Sequence, residues 1–159
     1  MKHTLSVLVA NEAGVLARIA ILFRRRGFNI DSLSVGRTER DDVSRITLVV
    51  EGDARTLEQV TKQLHKLVVV YKISDLTTDS TVSRGLALIK VNANANDRSE
   101  IMQIVDIFRG KIVDVAKDSV IVEVTGDEGK VSAIEELLRP FGIVELVRTG
   151  KVAMGRGSK

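Results

Sequence analysis

Residues 11–16, NEAGVL, have the composition and order of a ligand-binding segment. They follow the apolar stretch LSVLVA and precede apolar residues at helical spacing, so a strand ends and a helix begins here. The backbone N–H groups of Gly14, Val15 and Leu16 then lie in the first helical turn, where they have no intrahelical partners. With the positive end of the helix dipole they can hold one carboxylate or phosphate. Gly14 has no Cβ, so a ligand can approach the backbone there.

An ordinary strand-to-helix turn is the alternative explanation of the same residues, with Asn11 capping the turn and Gly14 allowing a tight bend. The corresponding segment in the second half of the chain, NANANDRSEI, has no glycine and places Asp97 and Arg98 at its helix start. Both halves need a turn, but only the first leaves it open, which favours a ligand in the N-terminal half. A phosphate ligand is less favoured, because the chain lacks the glycine-rich run and Lys-Ser/Thr pair of a P-loop.

Asn29, in the stretch FNIDS, is a second candidate, because it is polar among apolar neighbours. Its side-chain oxygen could accept a hydrogen bond from an ammonium group, and Ile30 adds apolar surface for an aliphatic side chain. The alternative is a turn residue that follows Gly27, which we expect to end the preceding helix in a left-handed conformation.

No set of residues for catalysis is recognisable. The three arginines 24–26 follow the apolar face of a helix, which favours a solvated helix end. His3 and His65 have no second ligand at metal spacing, so we expect both at the surface. No nucleophile and base can be paired from their spacing.

The composition of the 159-residue chain limits the possible functions further. The absence of cysteine excludes disulfides, thiolate chemistry and cysteine-based metal sites. The 24 positive and 21 negative charges are interspersed, which indicates a solvated surface and not a nucleic-acid footprint. There is no apolar run of membrane-spanning length and no secretory pattern, so we expect a cytoplasmic protein.

The order of predicted elements is βαββαβ, and it occurs twice. In the first half we expect strands at 3–10, 28–37, 43–52 and 67–76, with helices at 14–26 and after Asp53. In the second half we expect strands at 86–92, 111–116, 120–126 and 142–154, with helices at 97–109 and 128–141. The predicted domains are residues 1–76 and 86–159, joined by a polar linker at 77–85.

Two overlays support an internal repeat. LSVLVAN at 5–11 overlays LALIKVN at 86–92 with a shift of 81, and VEGDARTLEQVTKQLHKL overlays VTGDEGKVSAIEELLRPF with a shift of 74. The second overlay pairs the glycines, the helix-capping aspartates and four apolar positions in register. The fold class is therefore α+β, with two consecutive ferredoxin-like βαββαβ sandwiches. Units of this size, with helices on one sheet face, are expected to oligomerise.

Five segments carry a resemblance to a known family. They are LSVLVANEAGVLARIAILFRRRGFNIDSLSVGRTE, RITLVVEGD, LEQVTKQLHKLVVVYKISDL, LALIKV and IFRGKIVDV. Together they resemble the regulatory (small) subunits of acetolactate synthase, also called acetohydroxyacid synthase, over nearly the whole chain. One departure is Ala13, where the family often has proline. A proline there would stiffen the turn but supply no contact, so its absence should not remove the site.

The resemblance implies that the first domain is an ACT domain, which dimerises side by side and binds an amino-acid effector at the dimer interface. The effector in this family is typically valine, which causes feedback inhibition of branched-chain amino-acid synthesis, including that of isoleucine. The family's ligand loop corresponds to Asn11, Gly14, Val15 and Leu16, and the contact from the second protomer corresponds to Asn29 and Ile30. The implied partner is the catalytic large subunit, which carries thiamine diphosphate, Mg²⁺ and usually FAD. The small subunit, non-catalytic by itself, activates it.

Three alternatives remain open at this point. An acylphosphatase has the same fold but needs an arginine in its cradle, and residues 11–16 contain none. An RRM-like RNA-binding sheet needs aromatic residues on its central strands, and residues 5–10 and 43–50 contain none. A free-standing amino-acid sensor with the same ACT domain would have no enzyme partner.

Overall fold

The computed structural model describes residues 1–78 and 80–157, which form two compact units. The first unit comprises Met1–Val82 together with the C-terminal residues from Val152, and the second comprises Ser83–Lys151. Each unit contains two helices and four antiparallel strands that form a sheet, in the order βαββαβ, and the second sheet has a fifth strand. The predicted α+β class with two ferredoxin-like sandwiches is therefore confirmed.

The first unit consists of a sheet with strand order β2-β3-β1-β4 and the helices α1 and α2. Its elements are β1 Lys2–Ala10, α1 Val15–Arg26, β2 Asn29–Arg37, β3 Val43–Glu51, α2 Ala54–His65 and β4 Val70–Asp75. Alternate residues of β1 and β3 and one face of each helix form the aliphatic core. The buried residues of α1 are four positions apart, at Val15, Ile19 and Phe23, as an amphipathic helix on a sheet requires.

The second unit repeats this arrangement with strand order β6-β7-β5-β8. Its elements are β5 Thr81–Asn92, α3 Arg98–Ile107, β6 Lys111–Val115, β7 Ser119–Gly126, α4 Glu128–Leu138, a 3₁₀ turn at Arg139–Phe141, and β8 Ile143–Arg148. A ninth strand, β9 Val152–Gly155, pairs with β5, and the N–H of Arg156 donates to the carbonyl of Ser80 (2.9 Å).

Helix ends in both units follow the sequence signals. Gly27 ends α1 in the left-handed conformation, with φ 69°. Asp53 and Asp127 cap α2 and α4, and their side chains accept hydrogen bonds from the N–H groups of Thr56 and Lys130 (both 2.8 Å). The hydrogen bonds from Thr56 hold the pKa of Asp53 below its usual value.

Several expectations about strand boundaries differ from the structure. The strand expected at 67–76 spans only Val70–Asp75, and residues 68–69 form a turn. The single strand expected at 142–154 is two strands, β8 and β9, which are separated by residues 149–151. Residues 81–85, expected in the linker, belong to β5. Threonine and valine in TVSRG favour extended structure, and the polar composition of the segment concealed this preference.

The strand overlay with a shift of 81 is wrong by one residue. Val9 follows the irregularity in β1 and lies opposite Val70, and Val91 follows the irregularity in β5 and lies opposite Ile143. Val91 is therefore the counterpart of Val9, and the shift between the two strands is 82. The buried set Leu5, Val7 and Val9 therefore corresponds to Ala87, Ile89 and Val91. A one-residue slip exchanges the two faces of a strand, and it would have placed the exposed Leu88 in the core. The shift of 74 for the second helix is confirmed by the matching caps and buried positions.

The expectation that both histidines lie at the surface is correct only for His65. His3 is 4% exposed, and its Nε2 lies 3.0 Å from the carbonyl oxygen of Gly52. His3 lies opposite the core residue Val50 on β3, so strand pairing decides its burial, and the residue type gave no indication of it.

Candidate functional site

The N-terminus of α1 is open to solvent and has no side-chain cap within the described residues. Gly14 occupies the N-cap position in the left-handed region, with φ 85° and ψ −6°. The first helical hydrogen bond runs from the N–H of Arg18 to the carbonyl of Gly14 (3.0 Å). The N–H groups of Val15 and Leu16 precede that bond, so they point out of the helix end without an intrahelical acceptor.

The electrostatics of this helix end also favour an anion. Asp53 and Asp127 cap α2 and α4, and α3 and α4 carry Glu100 and Glu128 in their first turns. Among the four α-helices of the described residues, only α1 has neither an acidic residue in its first turn nor a side-chain cap. The partial positive charge of the α1 dipole is therefore left for a ligand.

The backbone at Gly14 is accessible. A Cβ atom built at this residue would meet no heavy atom within 4 Å. Val15 is 4% exposed and packs in the core, so it presents only its N–H group, whereas Leu16 is 44% exposed. The helix end therefore combines backbone donors with one exposed aliphatic side chain.

Asn11 does not cap the helix, in contrast to the ordinary-turn explanation. Its side-chain Nδ2 donates to the carbonyl of Asp41 (2.8 Å), and its Oδ1 accepts from the hydroxyl of Ser44 (3.1 Å). Its backbone N–H donates to the carbonyl of Asp42 (2.9 Å). Asn11 thus fastens the loop before α1 to the turn between β2 and β3.

Asn29 is the first residue of β2 and is exposed. Its Nδ2 lies 3.4 Å from Oε2 of Glu51, the residue opposite it on β3. Since the amide nitrogen faces Glu51, the amide oxygen is left as an acceptor. Ile30 is half-buried and packs against the core from the same strand end.

The two halves of the predicted site lie at opposite ends of α1. Gly14 precedes the helix and Asn29 follows it, and the 12 residues between them span about 18 Å at 1.5 Å per residue. A free amino acid is much shorter than this. One chain therefore does not bring the two halves together around one small ligand.

Among the described strands β2 is an edge strand, because it pairs with β3 on one side only. Leu33 and Val35 lie opposite the core residues Leu48 and Ile46 but are 37% and 47% exposed. The strand that carries Asn29 thus combines an open hydrogen-bonding edge with uncovered apolar side chains, as an interface between subunits requires.

The corresponding helix start in the second unit is closed. The side-chain oxygen of Asn94 accepts from the N–H groups of Asn96 and Asp97 (both 2.9 Å). The guanidinium of Arg98 donates to the carbonyls of Ala116 and Lys117 (both 2.7 Å). The expected contrast between the open helix start of the first unit and the closed helix start of the second unit is present. Asn94, which closes the helix start of the second unit, was not identified from the sequence.

Ser44 is the site residue that the sequence analysis did not identify. It is 6% exposed, near the start of β3, where the alternation would place an apolar residue. A serine at a core-facing strand position is a detectable signal, but its partner Asn11 lies 33 residues away in the sequence.

Within residues 1–78 and 80–157, no group of three or more His, Asp or Glu side chains could hold a metal ion. No helix in the same ranges is long and apolar enough to cross a membrane.

A model of the ACT domain of acetohydroxyacid synthase small subunits matches residues 5–72. The first unit, with its open helix end, is therefore an ACT domain. A second model, described as the small subunit of acetolactate synthase, matches residues 84–157. The chain belongs to the family of acetolactate synthase small subunits, and several relatives support this assignment.

The probable acetolactate synthase small subunit of Archaeoglobus fulgidus is 62% identical to this chain, covering 100% of the chain and 99% of that protein. The acetolactate synthase small subunit of Mycobacterium leprae is 52% identical, covering 99% and 94%. The crystal structure of the small subunit from Thermotoga maritima superimposes with a TM-score of 0.93 at 45% identity, covering 100% of this chain and 99% of that one. The predicted family is thus confirmed.

Proposed function

We propose that this chain is the regulatory subunit that activates the catalytic large subunit of acetolactate synthase and makes it sensitive to feedback inhibition by valine. The observation that carries this proposal is the uncapped start of α1, with Gly14 in the left-handed conformation and open space around it. Family membership supports the partner, because its relatives are named as small subunits of that enzyme.

The effector carboxylate sits on the N–H groups at Gly14, Val15 and Leu16. These donors and the helix dipole compensate its charge without a basic side chain. The isopropyl group packs on Leu16, which is the exposed apolar residue of the loop. Val15 is buried and contributes through its backbone N–H.

The ammonium group lies beside Asn29 and Ile30 of a second protomer. The amide oxygen of Asn29 accepts from the ammonium, while Glu51 holds the amide nitrogen. The second protomer is needed because α1 separates the two halves of the site by about 18 Å within one chain.

The homodimer forms side by side through β2. Its open edge can pair with the same edge of a second copy, and Leu33 and Val35 are covered in the process. One effector molecule then touches two chains, so its binding stabilises one dimer geometry over another. A coupling of this kind is typically worth about 1–3 kcal/mol.

The large subunit carries thiamine diphosphate, Mg²⁺ and usually FAD and performs the condensation of pyruvate, and this chain supplies none of that chemistry. The regulatory effect therefore depends on a complex of the two subunits. Co-purification with the large subunit distinguishes this proposal from a free-standing ACT sensor, which would bind an amino acid but no enzyme.

Calorimetric titration with valine, leucine and isoleucine tests the proposal, first with this chain and then with the large subunit present. We expect saturable binding of valine at one effector per shared site and inhibition of the complex over the same concentration range. The proposal fails if no branched-chain amino acid binds in either titration.

A further inference from the structure

The loop before α1 is held by a polar contact that the fold does not need. This contact, here called the Asn11–Ser44 clamp, consists of the hydrogen bond from the Ser44 hydroxyl to Oδ1 of Asn11 (3.1 Å). Ser44 is buried at 6% exposure and lies on β3 opposite Val9, which is a core residue. A buried hydroxyl at such a position costs free energy unless it is hydrogen-bonded.

The second unit provides an internal control for this contact. Val9 lies opposite Ser44 on β3, and its counterpart Val91 lies opposite Val120 on β7. The N–H of Asn11 donates to the carbonyl of Asp42, and that of Ala93 donates to the carbonyl of Asp118 in the same way. The second unit therefore has alanine and valine where the first has Asn11 and Ser44.

The same fold is thus built with an apolar pair in the unit whose helix start is closed, and with a polar pair in the unit whose helix start is open. Ala93 and Val120 are 0% and 4% exposed, so the apolar pair packs well. This difference links the clamp to the open helix end and not to the stability of the sandwich.

The hydrogen-bonding capacity of Asn11 explains what the clamp does. Its Oδ1 accepts from Ser44, and one hydrogen of its Nδ2 is donated to the carbonyl of Asp41. The amide is therefore fixed in one orientation, and its second Nδ2 hydrogen is still available as a donor. The carbonyl of Asp41 can only accept, so it selects this orientation, and the Ser44 hydroxyl supplies the second contact that holds the amide in place.

We propose that Ser44 is a positioning residue of the effector site, which acts through Asn11 and couples the loop before α1 to the β2–β3 turn at residues 38–42. This inference rests on the proposed effector site. Ser44 does not touch the effector. It fixes the loop in the conformation that leaves the helix end open, and effector binding in turn orders the turn.

The coupling reaches the turn through hydrogen bonds from the side chain and backbone of Asn11 to backbone carbonyls of the turn. The carbonyls of Asp41 and Asp42 accept from Asn11, and the turn itself is closed by the bond from the N–H of Thr38 to the carbonyl of Val43 (3.0 Å). A ligand bound to the N–H groups of residues 14–16 orders the loop that contains Asn11 and therefore also slows opening of the turn. By reciprocity, a loosened turn weakens ligand binding.

Four variants of the full chain test the inference, with valine as the probe. Ser44→Val and the double variant Asn11→Ala/Ser44→Val install one or both residues of the second unit. Ser44→Thr keeps the hydroxyl. Thr47→Val is the matched control. Thr47 is also buried (2% exposed) on β3, but its side chain lies on the sheet face opposite the helices, whereas Ser44 lies on the face that the helices cover.

We expect Ser44→Val to weaken valine binding about tenfold, which corresponds to the loss of one good hydrogen bond. Ser44→Thr and Thr47→Val should bind within about twofold of the wild type. Thermal unfolding midpoints of the double variant and the wild type should be similar, since the second unit folds with the apolar pair. A tenfold loss in Thr47→Val as well would overturn the specific role of Ser44.

Hydrogen exchange of the wild type gives a readout that does not depend on any substitution. Valine should slow exchange at the N–H groups of Asn11, Thr38 and Val43, and it should leave the 116–119 turn of the second unit unchanged. Unchanged exchange at residues 38–43 in the presence of bound valine would overturn the coupling. If the wild type does not bind valine, the proposed function fails and this inference with it; if the wild type binds but Ser44→Val binds equally well, only this inference fails.

Discussion

Gly14 and Asn29 flank the same helix, one at the N-cap of α1 and the other two residues after its C-cap Gly27. The helix holds them about 18 Å apart, yet both are exposed and both have the chemistry to bind one end of an amino acid. This separation is why the proposed effector site requires two chains. It also means that each half can be altered without touching the other.

A negative charge at Gly14 should abolish the response to valine. Gly14→Asp places a carboxylate where the effector carboxylate binds, and its Cβ meets no atom within 4 Å. Aspartate tolerates the left-handed conformation better than most residues, so we expect folding to cost only about 1 kcal/mol. Inhibition of the complex by valine is the measurement.

Gly14→Asn separates charge from size in this experiment. Asparagine has the same shape as aspartate without its charge, and it is equally compatible with a positive φ. We expect weaker but measurable valine binding in this variant. Normal inhibition of the Gly14→Asp complex would show that the carboxylate binds elsewhere.

Removing the amide of Asn29 should weaken valine binding tenfold or more, since hydrogen bonds to charged groups are worth about 1.5–3 kcal/mol. Asn29→Leu tests this by calorimetry. Glu51→Gln is the matched control, because glutamine keeps an oxygen that can accept from the Asn29 amide. Equal affinity for Asn29→Leu and wild type would remove Asn29 from the site.

A charge on the edge strand β2 should weaken the dimer. Leu33→Lys places an ammonium on the surface that we propose is covered by the second copy, and burying an unpaired charge is costly. Because Leu33 is 37% exposed in the single chain, the monomer should fold normally. Sedimentation analysis should show at least a tenfold weaker dimer.

Val113→Lys is the control for the dimer experiment. Val113 lies on β6, the corresponding edge strand of the second unit, and is 52% exposed. We expect no change in the association of the ACT domains in this variant. If Leu33→Lys and wild type dimerise equally, then β2 does not form the interface.

The cap of α2 should make stability depend on pH in the acid range. The pKa of Asp53 is lower in the folded chain because the N–H and hydroxyl of Thr56 donate to its carboxylate. The contribution to stability is therefore complete above the ordinary aspartate pKa, and it is lost as pH falls through the lowered value.

Asp53→Asn keeps a capping oxygen but does not titrate. Urea unfolding at several pH values should show a smaller loss of stability on acidification for this variant than for the wild type. Parallel pH profiles of the two proteins would contradict the role assigned to the Asp53 carboxylate.

Local signals in the sequence were sufficient to predict most of the fold. The apolar period of α1, the left-handed Gly27 and the caps Asp53 and Asp127 each depend on residues within one turn of a helix. These features are encoded locally, so propensity and spacing identify them. The open helix end at Gly14 belongs to the same class.

Features that depend on contacts between distant residues were missed or misplaced. The one-residue error between Val9 and Val91 arose because both faces of β5 carry apolar residues, so alternation did not fix the register. The role of Asn11 depends on Ser44 and Asp41, which reach it only when β3 pairs with β1. The burial of His3 has the same origin, since Gly52 lies 49 residues away.

Mixing two inactive variants tests the shared effector site most directly. Gly14→Asp and Asn29→Leu chains should each bind valine poorly, because every site in either homodimer contains one altered half. After the two are exchanged into heterodimers, one of the two sites combines an intact Gly14 with an intact Asn29. Calorimetry of the heterodimer should then recover wild-type affinity at half the number of sites. Heterodimers that bind no better than the parent variants would contradict a site shared between two chains.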